Sequence, residues 1–168
     1  PILFEVADIM QEIFWEQTIG NKEGFLKQIA DENTRKFAKI NYGPWDRLNG
    51  NKPFIEGYGQ KPLGANFYPI GMSKQQFEDL PLPNKTSLYT MVRENGLGQL
   101  ITIPYKDFFK NENKFLSDIL NSVSELSDNT AFAKYMKLRA RALLTDEYFA
   151  SDMAWLDMKD NRIDCVIG

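Results

Sequence analysis

Apolar residues near the start of the chain recur at the three-and-four spacing of an amphipathic helix. The first group is Val6, Ile9, Met10, Ile13 and Phe14, and the second is Phe25, Leu26, Ile29, Phe37 and Ile40. This spacing places apolar side chains on one helix face. A break at Gly20 and Asn21 separates the two groups, so the pattern predicts a helical hairpin over residues 1–41.

The middle of the chain, residues 42–104, is too rich in glycine and proline for long helices and is predicted to be loop-rich. Two stretches inside it, 87–93 and 99–103, have the composition of strands. Asn95 and Gly96 lie between them, and an Asn-Gly pair supplies the positive φ that a tight hairpin turn requires. The sequence therefore predicts a β-hairpin here.

Helical spacing returns over residues 105–158. One predicted face carries Leu116, Ile119, Leu120 and Val123, and the next carries Phe132, Met136, Ala140 and Leu143. Ser127 or Asp128 is the predicted N-cap of the second helix, and Thr145 is a predicted N-cap further on. A solvated helix face explains the basic residues of the second helix, which are Lys134, Lys137 and Arg141.

Residues 162–168 alternate apolar and polar side chains and are predicted to form a C-terminal strand. The chain stops there without a turn or a polar tail, so we expect it to be a piece of a larger protein. The fold class predicted for 1–168 is α+β: mainly helical, with a β-hairpin and a C-terminal strand, in a single domain or a partial one.

Composition removes several classes of function. The chain has no histidine and one cysteine, Cys165, so its 168 residues cannot supply an ordinary zinc site, a Ser-His-Asp triad or a Cys-His pair. We interpret Cys165 as a small hydrophobic residue of the last strand. No catalytic or metal-binding residue is therefore predicted within the chain.

Charge and hydropathy exclude other partners. The net charge is −3 and no run of lysine or arginine is present, which argues against nucleic acid as a partner. No stretch approaches the ~20 apolar residues of a membrane span, so no membrane partner is expected. We expect a soluble protein whose compartment stays open, with the cytoplasm favoured over the periplasm.

Acidic residues cluster towards the C-terminus: Asp146, Glu147, Asp152, Asp157, Asp160 and Asp164. Helix capping and solvated surface account for the first five. Asp164 differs because it lies inside the predicted strand, where a carboxylate is costly unless it is exposed or paired. It either faces a cleft and binds a ligand amine, or occupies an edge position or a structural ion pair.

Three aromatic residues of the loop region, Tyr58, Phe67 and Tyr68, could stack on a ligand or pack the loops. Packing is the commoner role of aromatic side chains in such a region.

Several segments resemble the zinc-dependent peptidases of the dipeptidyl peptidase III family, most closely its bacterial and plant branch, in which a Nudix domain can be fused to the peptidase. The most specific is residues 142–157 followed by the final strand. The matching segments are Leu63-Gly-Ala-Asn-Phe-Tyr-Pro69, Ile101-Thr-Ile-Pro-Tyr105, Ala142-Leu-Leu-Thr-Asp-Glu-Tyr-Phe-Ala-Ser-Asp-Met-Ala-Trp-Leu-Asp157 and Ile163-Asp-Cys-Val-Ile-Gly168.

The resemblance implies half of a two-lobed enzyme. Family members hold zinc in a helical lobe and bind the peptide backbone along a strand of a β-core lobe, and this chain resembles much of the β-core lobe. The implied partners are a peptide substrate and the remaining zinc-bearing lobe of the same polypeptide. Zinc is the implied cofactor of the intact protein, with none bound by this chain, and the isolated chain is expected to be inactive.

The resemblance also implies the site residues. Asp164 occupies the position of the family acid that holds the free α-amine of the peptide, and its strand neighbours Val166 and Ile167 are the other implied substrate contacts. Where the family has Glu followed by Ser-Tyr, this chain has Asp164-Cys165-Val166. A non-catalytic peptide-binding or scaffolding relative is the alternative. A Nudix pyrophosphatase has no support here, because the Nudix sequence pattern is absent.

Overall fold

A computed structural model describes residues 2–168 of the chain. Within these residues the fold is α+β, with eight helices and two antiparallel pairs of short strands, which confirms the predicted fold class. The helices are α1 (Ile2–Thr18), α2 (Lys22–Lys27), α3 (Glu32–Asn41), α4 (Lys74–Asp79), α5 (Tyr105–Phe108), α6 (Lys110–Leu126), α7 (Thr130–Thr145) and α8 (Phe149–Asp157), and the strands are β1 (Trp45–Asp46), β2 (Lys52–Pro53), β3 (Thr90–Glu94) and β4 (Leu100–Pro104).

The chain divides into two compact units. The loop-rich unit is Glu12–Thr102, and the helical unit combines residues 2–11 with Ile103–Gly168. No helix in the described residues has the length and the apolar character that crossing a lipid bilayer requires.

The loop-rich unit has a small aromatic core. Trp15, Phe25, Ile29 and Ala38 are buried in it, and Tyr58 packs its ring against Phe25 at 5.7 Å between centroids. Aromatic pairs of this kind add about 0.5–1.5 kcal/mol each beyond the area that they bury. Clustered rings therefore give a region with little regular structure a fixed shape.

The predicted helical hairpin of residues 1–41 is three helices. Asp31 starts a new helix, because its carboxylate accepts the N–H of Thr34 at 2.6 Å. The new start shifts the helical phase, so Ala38 is buried in α3 whereas Phe37 is 40% exposed and Ile40 is 71% exposed. The prediction that Phe37 and Ile40 continue the buried face is wrong for this reason.

The predicted β-hairpin is present as β3 and β4, but its turn differs from the predicted one. The positive φ belongs to Gly98, at +72°, and neither Asn95 nor Gly96 is left-handed. The Asn95 side chain accepts the N–H groups of Leu97 and Gln99, each at 2.9 Å. Asn95 thus caps a three-residue loop whose last residue is left-handed, which is a common hairpin geometry.

The helical unit is built on the pair α6 and α7, joined by a three-residue loop. The eight residues predicted on the apolar faces of these two helices are all buried. Lys134, Lys137 and Arg141 are exposed, as predicted. Helices α7 and α8 also pack against each other, and α8 leads into the last segment of the chain.

Two of the predicted caps are wrong. The N-cap of α7 is Asn129, whose side chain accepts the N–H of Phe132 at 2.9 Å, rather than Ser127 or Asp128. Thr145 is the last residue of α7 and not an N-cap. Asp146 follows it in the left-handed conformation, with φ at 61°, and ends the helix.

Candidate functional site

The last eleven residues, Met158–Gly168, form what we call the terminal segment. The C-terminal strand predicted over residues 162–168 is not formed, because within the described residues no strand lies beside this segment to form a hydrogen-bond ladder with it. Burial nevertheless alternates as in an extended chain. Ile167 is 5% exposed and Cys165 is half-buried, whereas Asp164 is exposed and Val166 is 71% exposed. Asp164 and Val166 therefore lie on the outer face of the segment.

Arg139 of α7 lies beneath the terminal segment and is buried. Its guanidinium donates to Asp152 Oδ1 at 2.5 Å and lies over the rings of Tyr135 and Tyr148, at 5.6 and 5.1 Å from their centroids. A charge this deep requires such partners, because an unpaired buried ion costs several kcal/mol. Burial raises the pKa of the Tyr135 hydroxyl, and the guanidinium of Arg139 partly offsets that rise.

The end of the segment passes directly over this cluster. A Cβ placed on Gly168 would come within 3.3 Å of Arg139 Nη1, and Gly168 has a φ of +142°. Both the space and the backbone conformation favour glycine at this position.

Two asparagines hold the irregular part of the segment. Asn129 Nδ2 donates to the carbonyl of Asp160 at 3.0 Å, and Asn161 Nδ2 donates to the carbonyl of Ile163 at 2.7 Å. These bonds satisfy backbone carbonyls that a helix or a sheet would otherwise pair. The segment is therefore held in place although it belongs to no regular element.

Asp164 is held by one neighbour. The indole Nε1 of Trp155 on α8 donates to Asp164 Oδ1 at 2.9 Å. No ion pair among residues 2–168 includes Asp164. The described residues therefore do not show the structural ion pair that was one of the alternatives for Asp164.

A recess of about 180 Å³ opens next to this pair. Both Trp155 and Asp164 line it, together with Leu156, Met158, Lys159 and Asn161. A cavity of about 150 Å³ is large enough for a benzene ring. The recess can therefore accept one side chain of a bound ligand.

Cys165 does not add a nucleophile to this site. Burial raises the pKa of its thiol, and the neighbouring Asp164 carboxylate raises it further. The thiol thus stays protonated at neutral pH, and only the thiolate is strongly nucleophilic. Its half-buried position agrees with the predicted structural role.

Two other acids of the C-terminal cluster have structural partners. Asp146 accepts the backbone N–H of Lys106 at 3.1 Å, and Asp152 pairs with Arg139. Within residues 2–168 no three carboxylate or thiol groups come close enough together to hold a metal ion. The described residues therefore do not fit a zinc ion.

A separate open groove of about 710 Å³ lies in the loop-rich unit, with Lys52, Lys61 and Phe67 among its lining residues. Burial lowers the pKa of Lys61, and the nearby charge of Arg47 lowers it further. The groove lining contains no carboxylate, hydroxyl or thiol side chain.

Ring packing explains two of the three aromatic residues proposed for ligand stacking. Tyr58 meets Trp45 at 6.3 Å between centroids, and Tyr68 meets Phe77 at 5.3 Å. The third, Phe67, lines the open groove of the loop-rich unit.

Comparison with known proteins places this geometry in context. No protein-family model matches the chain. The solved structure of DPP III from Caldithrix abyssi has 36% sequence identity and a TM-score of 0.84, and the match covers 95% of this chain and 32% of that one. The chain is similar to part of dipeptidyl peptidase III.

A second solved structure gives the same result. The structure of dipeptidyl-peptidase III from Corallococcus sp. strain EGB has 28% identity and a TM-score of 0.80, over 95% of this chain and 32% of that one. Nudix hydrolase 3 of Arabidopsis thaliana is a more distant relative. It is 24% identical over 229 aligned residues, which cover 99% of this chain and 30% of that protein.

The chain thus spans about a third of the length of each of these relatives. Its structural neighbours are those that the resemblance predicted. The likeness supports a lobe of a peptidase. It does not test the predicted substrate contacts, and Asp164, Val166 and Ile167 stay predictions in that role. The side chain of Ile167 is buried at 5% exposure, so it does not lie on the outer face with Asp164 and Val166.

Two residues of the site escaped the sequence prediction. Arg139 falls at the spacing of the buried face of α7, between Met136 and Leu143, and a basic residue in that phase was the available signal. The bond joins Trp155 to Asp164, nine positions further along the chain, across the end of α8 and the irregular chain that follows it. No local spacing rule predicts such a bond.

Proposed function

We propose that this chain is the substrate-binding lobe of a zinc-dependent exopeptidase resembling dipeptidyl peptidase III. The fold similarity to two dipeptidyl peptidase III structures supports a lobe of a peptidase. The zinc ion would be held by another part of the same polypeptide, because the described residues offer no group of ligands for it. When bound, zinc would supply the Lewis acid that peptide hydrolysis needs.

The terminal segment is the observation that carries this proposal. Residues 159–168 make no backbone-to-backbone hydrogen bonds within the described residues, and the outer face of the segment is exposed. Asparagine side chains occupy the carbonyls of Asp160 and Ile163, so residues 164–168 are the part of the segment whose carbonyls stay open to a ligand. Backbone groups without such partners are a template on which a peptide can add as a further strand. A peptide bound in this way would lie along Asp164, Val166 and the backbone of Ile167.

Asp164 would then select the end of the peptide. Its carboxylate is exposed and has no cationic partner in the described residues, so it is free to accept the α-ammonium group of a peptide N-terminus. Such a charge-assisted hydrogen bond is worth about 1.5–3 kcal/mol. Selection of a free amine is what distinguishes an aminoterminal exopeptidase from an endopeptidase.

Substitution of the acid tests this role. In the complete natural polypeptide, Asp164→Asn should raise the dissociation constant of tetra-alanine by roughly ten- to a hundredfold, because the amide cannot neutralise the ammonium group. The dissociation constant of Nα-acetyl-tetra-alanine should not change. Calorimetric titration of both peptides into the zinc-depleted protein, which does not consume them, measures the two values.

Asp160 provides the matched control, since it is an exposed acid of the same segment with no side-chain role in the site. Asp160→Asn should leave both dissociation constants unchanged. Equal weakening of the free and the acetylated peptide by Asp164→Asn would count against amine recognition.

A further inference from the structure

We propose that the open groove of the loop-rich unit binds an acidic segment of a peptide, whose carboxylates pair with Lys52 and Lys61. Both lysines line the groove, and all of its lining residues belong to the loop-rich unit. This second site lies beyond the proposed function, which concerns the terminal segment of the other unit.

The groove carries positive charge that no carboxylate balances. Lys52, Lys61 and the neighbouring Arg47 take part in no ion pair within residues 2–168. Arg47 instead lies over the ring of Tyr42, at 5.5 Å from its centroid. The chain as a whole has a net charge of −3, so unpaired cations gathered at one concave surface favour an anionic ligand there.

Lys61 is the cation that gains most from such a ligand. It is half-buried, and burial lowers the pKa of its ammonium group, which the nearby charge of Arg47 lowers further. Lost hydration and repulsion from a like charge both disfavour the charged form. A carboxylate bound beside Lys61 relieves both effects, because it supplies an opposite charge and a hydrogen-bond acceptor.

The ammonium group of Lys52 is also available to a ligand. Asp46 lies opposite Lys52 in the antiparallel pair of β1 and β2. The Asp46 carboxylate accepts the N–H of Leu48 at 3.1 Å and forms no ion pair with Lys52. The acid thus stabilises the turn between the strands and leaves the lysine unneutralised.

Trp45 fixes the two stretches of chain that carry the lysines. It is buried, and it pairs with Pro53 in the strand pair, next to Lys52. Its indole donates to the carbonyl of Gly59 at 2.9 Å, just before Lys61. Both lysines are therefore attached to backbone that is held in place before a ligand arrives, which lowers the entropic cost of binding.

The rest of the lining favours a peptide over a small inorganic anion. Leu63 and Phe67 add apolar surface, and Leu63 is 93% exposed. The backbone N–H groups of Lys61, Leu63 and Gly64 make no hydrogen bond within the described residues and can serve carbonyl groups of a ligand. Small phosphate sites commonly use a helix N-terminus, and no described helix begins among the lining residues.

Two peptides that differ in charge and are blocked at both ends test the proposal. In the complete natural polypeptide, depleted of zinc, Nα-acetyl-tetraglutamate amide should bind roughly tenfold or more tightly than Nα-acetyl-tetraglutamine amide. Zinc is removed because it binds carboxylates directly. Isothermal titration calorimetry measures both dissociation constants.

Substitution of the lysines locates the site. Lys61→Gln should weaken binding of the glutamate peptide roughly three- to tenfold and leave the glutamine peptide unchanged. The double variant Lys52→Gln/Lys61→Gln should lose the preference for the glutamate peptide. Lys39→Gln is the matched control, since Lys39 is an exposed lysine of the same unit without an ion pair and outside the groove lining. It should leave both dissociation constants unchanged.

A stability measurement separates lost binding from lost folding. Lys61→Gln removes a charge that burial disfavours, so the variant should be at least as stable as the unsubstituted protein in urea denaturation at pH 7. Weaker binding by a protein of undiminished stability then reports on the groove itself.

Several results would overturn the proposal. Equal affinity for the two peptides would do so, as would equal weakening by Lys39→Gln and Lys61→Gln. Inorganic phosphate that displaces the glutamate peptide at equal concentration would assign the groove to small anions and contradict a peptide ligand.

Asp164→Asn keeps this proposal apart from the proposed function. The blocked peptides have no α-amine, so this variant should bind the glutamate peptide as the unsubstituted protein does. Weaker binding would place the acidic peptide at the terminal segment and contradict the groove. If Asp164→Asn instead leaves the affinity for tetra-alanine unchanged, the proposed function fails and the groove proposal stands.

Discussion

At the scale of single residues, Asp146 occupies a position that is energetically unfavourable for a charged carboxylate. It ends α7 in the left-handed conformation and is half-buried. Burial raises the pKa of its carboxyl above the ordinary value of 3.8, and the N–H of Lys106 offsets part of that rise. Its negative charge also lies at the negative end of the helix dipole, which is unfavourable.

The sign of the pH effect follows from this shift. Because the pKa of Asp146 is raised in the folded state, the folded chain binds more protons than the unfolded chain just above pH 3.8. The contribution of Asp146 to stability therefore falls as pH rises through that range. Asp146→Asn should therefore be at least as stable as the unsubstituted chain at pH 7, with a gain of about 0.5 kcal/mol from the helix dipole. Asparagine also tolerates the left-handed conformation.

Urea denaturation from pH 3 to pH 7 measures this prediction. The difference in unfolding free energy between Asp146→Asn and the unsubstituted chain should grow in favour of the variant as pH rises. Asp146→Ala is the control, because alanine loses the bond to Lys106 and resists a φ of 61°. We expect that variant to lose about 1–2 kcal/mol. A less stable Asp146→Asn at pH 7 would contradict the reasoning.

At the scale of elements, the β3–β4 hairpin depends on a single left-handed residue. Gly98 has a φ of +72°, whereas Gly96 is not left-handed and has open space around it. Alanine at position 98 is therefore strained, whereas alanine at position 96 only reduces the conformational freedom of the unfolded chain.

Two alanine substitutions should thus have opposite effects. Gly98→Ala should lower the unfolding free energy by about 1 kcal/mol, and Gly96→Ala should leave it unchanged or raise it by up to about 1 kcal/mol. Thermal and urea denaturation of both variants measure the difference. Equal effects would mean that the turn is not the one described.

The hairpin also shows what sequence patterns can and cannot predict. Strand composition located both strands, because it depends on residues a few positions apart. The turn differed, since Asn95 uses its side chain to accept two N–H groups instead of adopting a positive φ. Similarly, spacing identified the buried faces of α6 and α7 but not the shifted phase of α3, which a cap at Asp31 sets.

The candidate site follows the same rule. The sequence singled out Asp164, because a carboxylate inside an apolar stretch is visible locally. It could not predict Trp155 as the partner of that acid or Arg139 beneath the terminal segment, since both contacts depend on how α7 and α8 pack. Side-chain partners that are set by tertiary packing are beyond local patterns.

At the scale of the whole molecule, the chain matches about a third of each relative, and its described residues contain no group that could hold a metal. The proposed zinc ion would then be held by another part of the polypeptide. We expect the complete natural polypeptide to bind zinc stoichiometrically and to hydrolyse peptides, and the chain of residues 1–168 to do neither.

Metal analysis by atomic absorption and a peptide hydrolysis assay check this expectation on the two polypeptides. Zinc binding or peptide hydrolysis by residues 1–168 alone would contradict the proposal that another part of the polypeptide holds the zinc ion. If the complete polypeptide binds peptides but does not bind zinc and does not hydrolyse peptides, it is instead a non-catalytic relative of the family.

The alternating burial of the terminal segment has a consequence for its length. Ile167 faces inwards and Asp164 outwards, so an insertion or deletion of one residue between Trp155 and Ile167 would exchange the two sides of the chain. The carboxylate would then turn towards the tyrosines around Arg139, away from any incoming amine. In the proposed function, the number of residues along this stretch would thus determine recognition of the amine as much as their identity does.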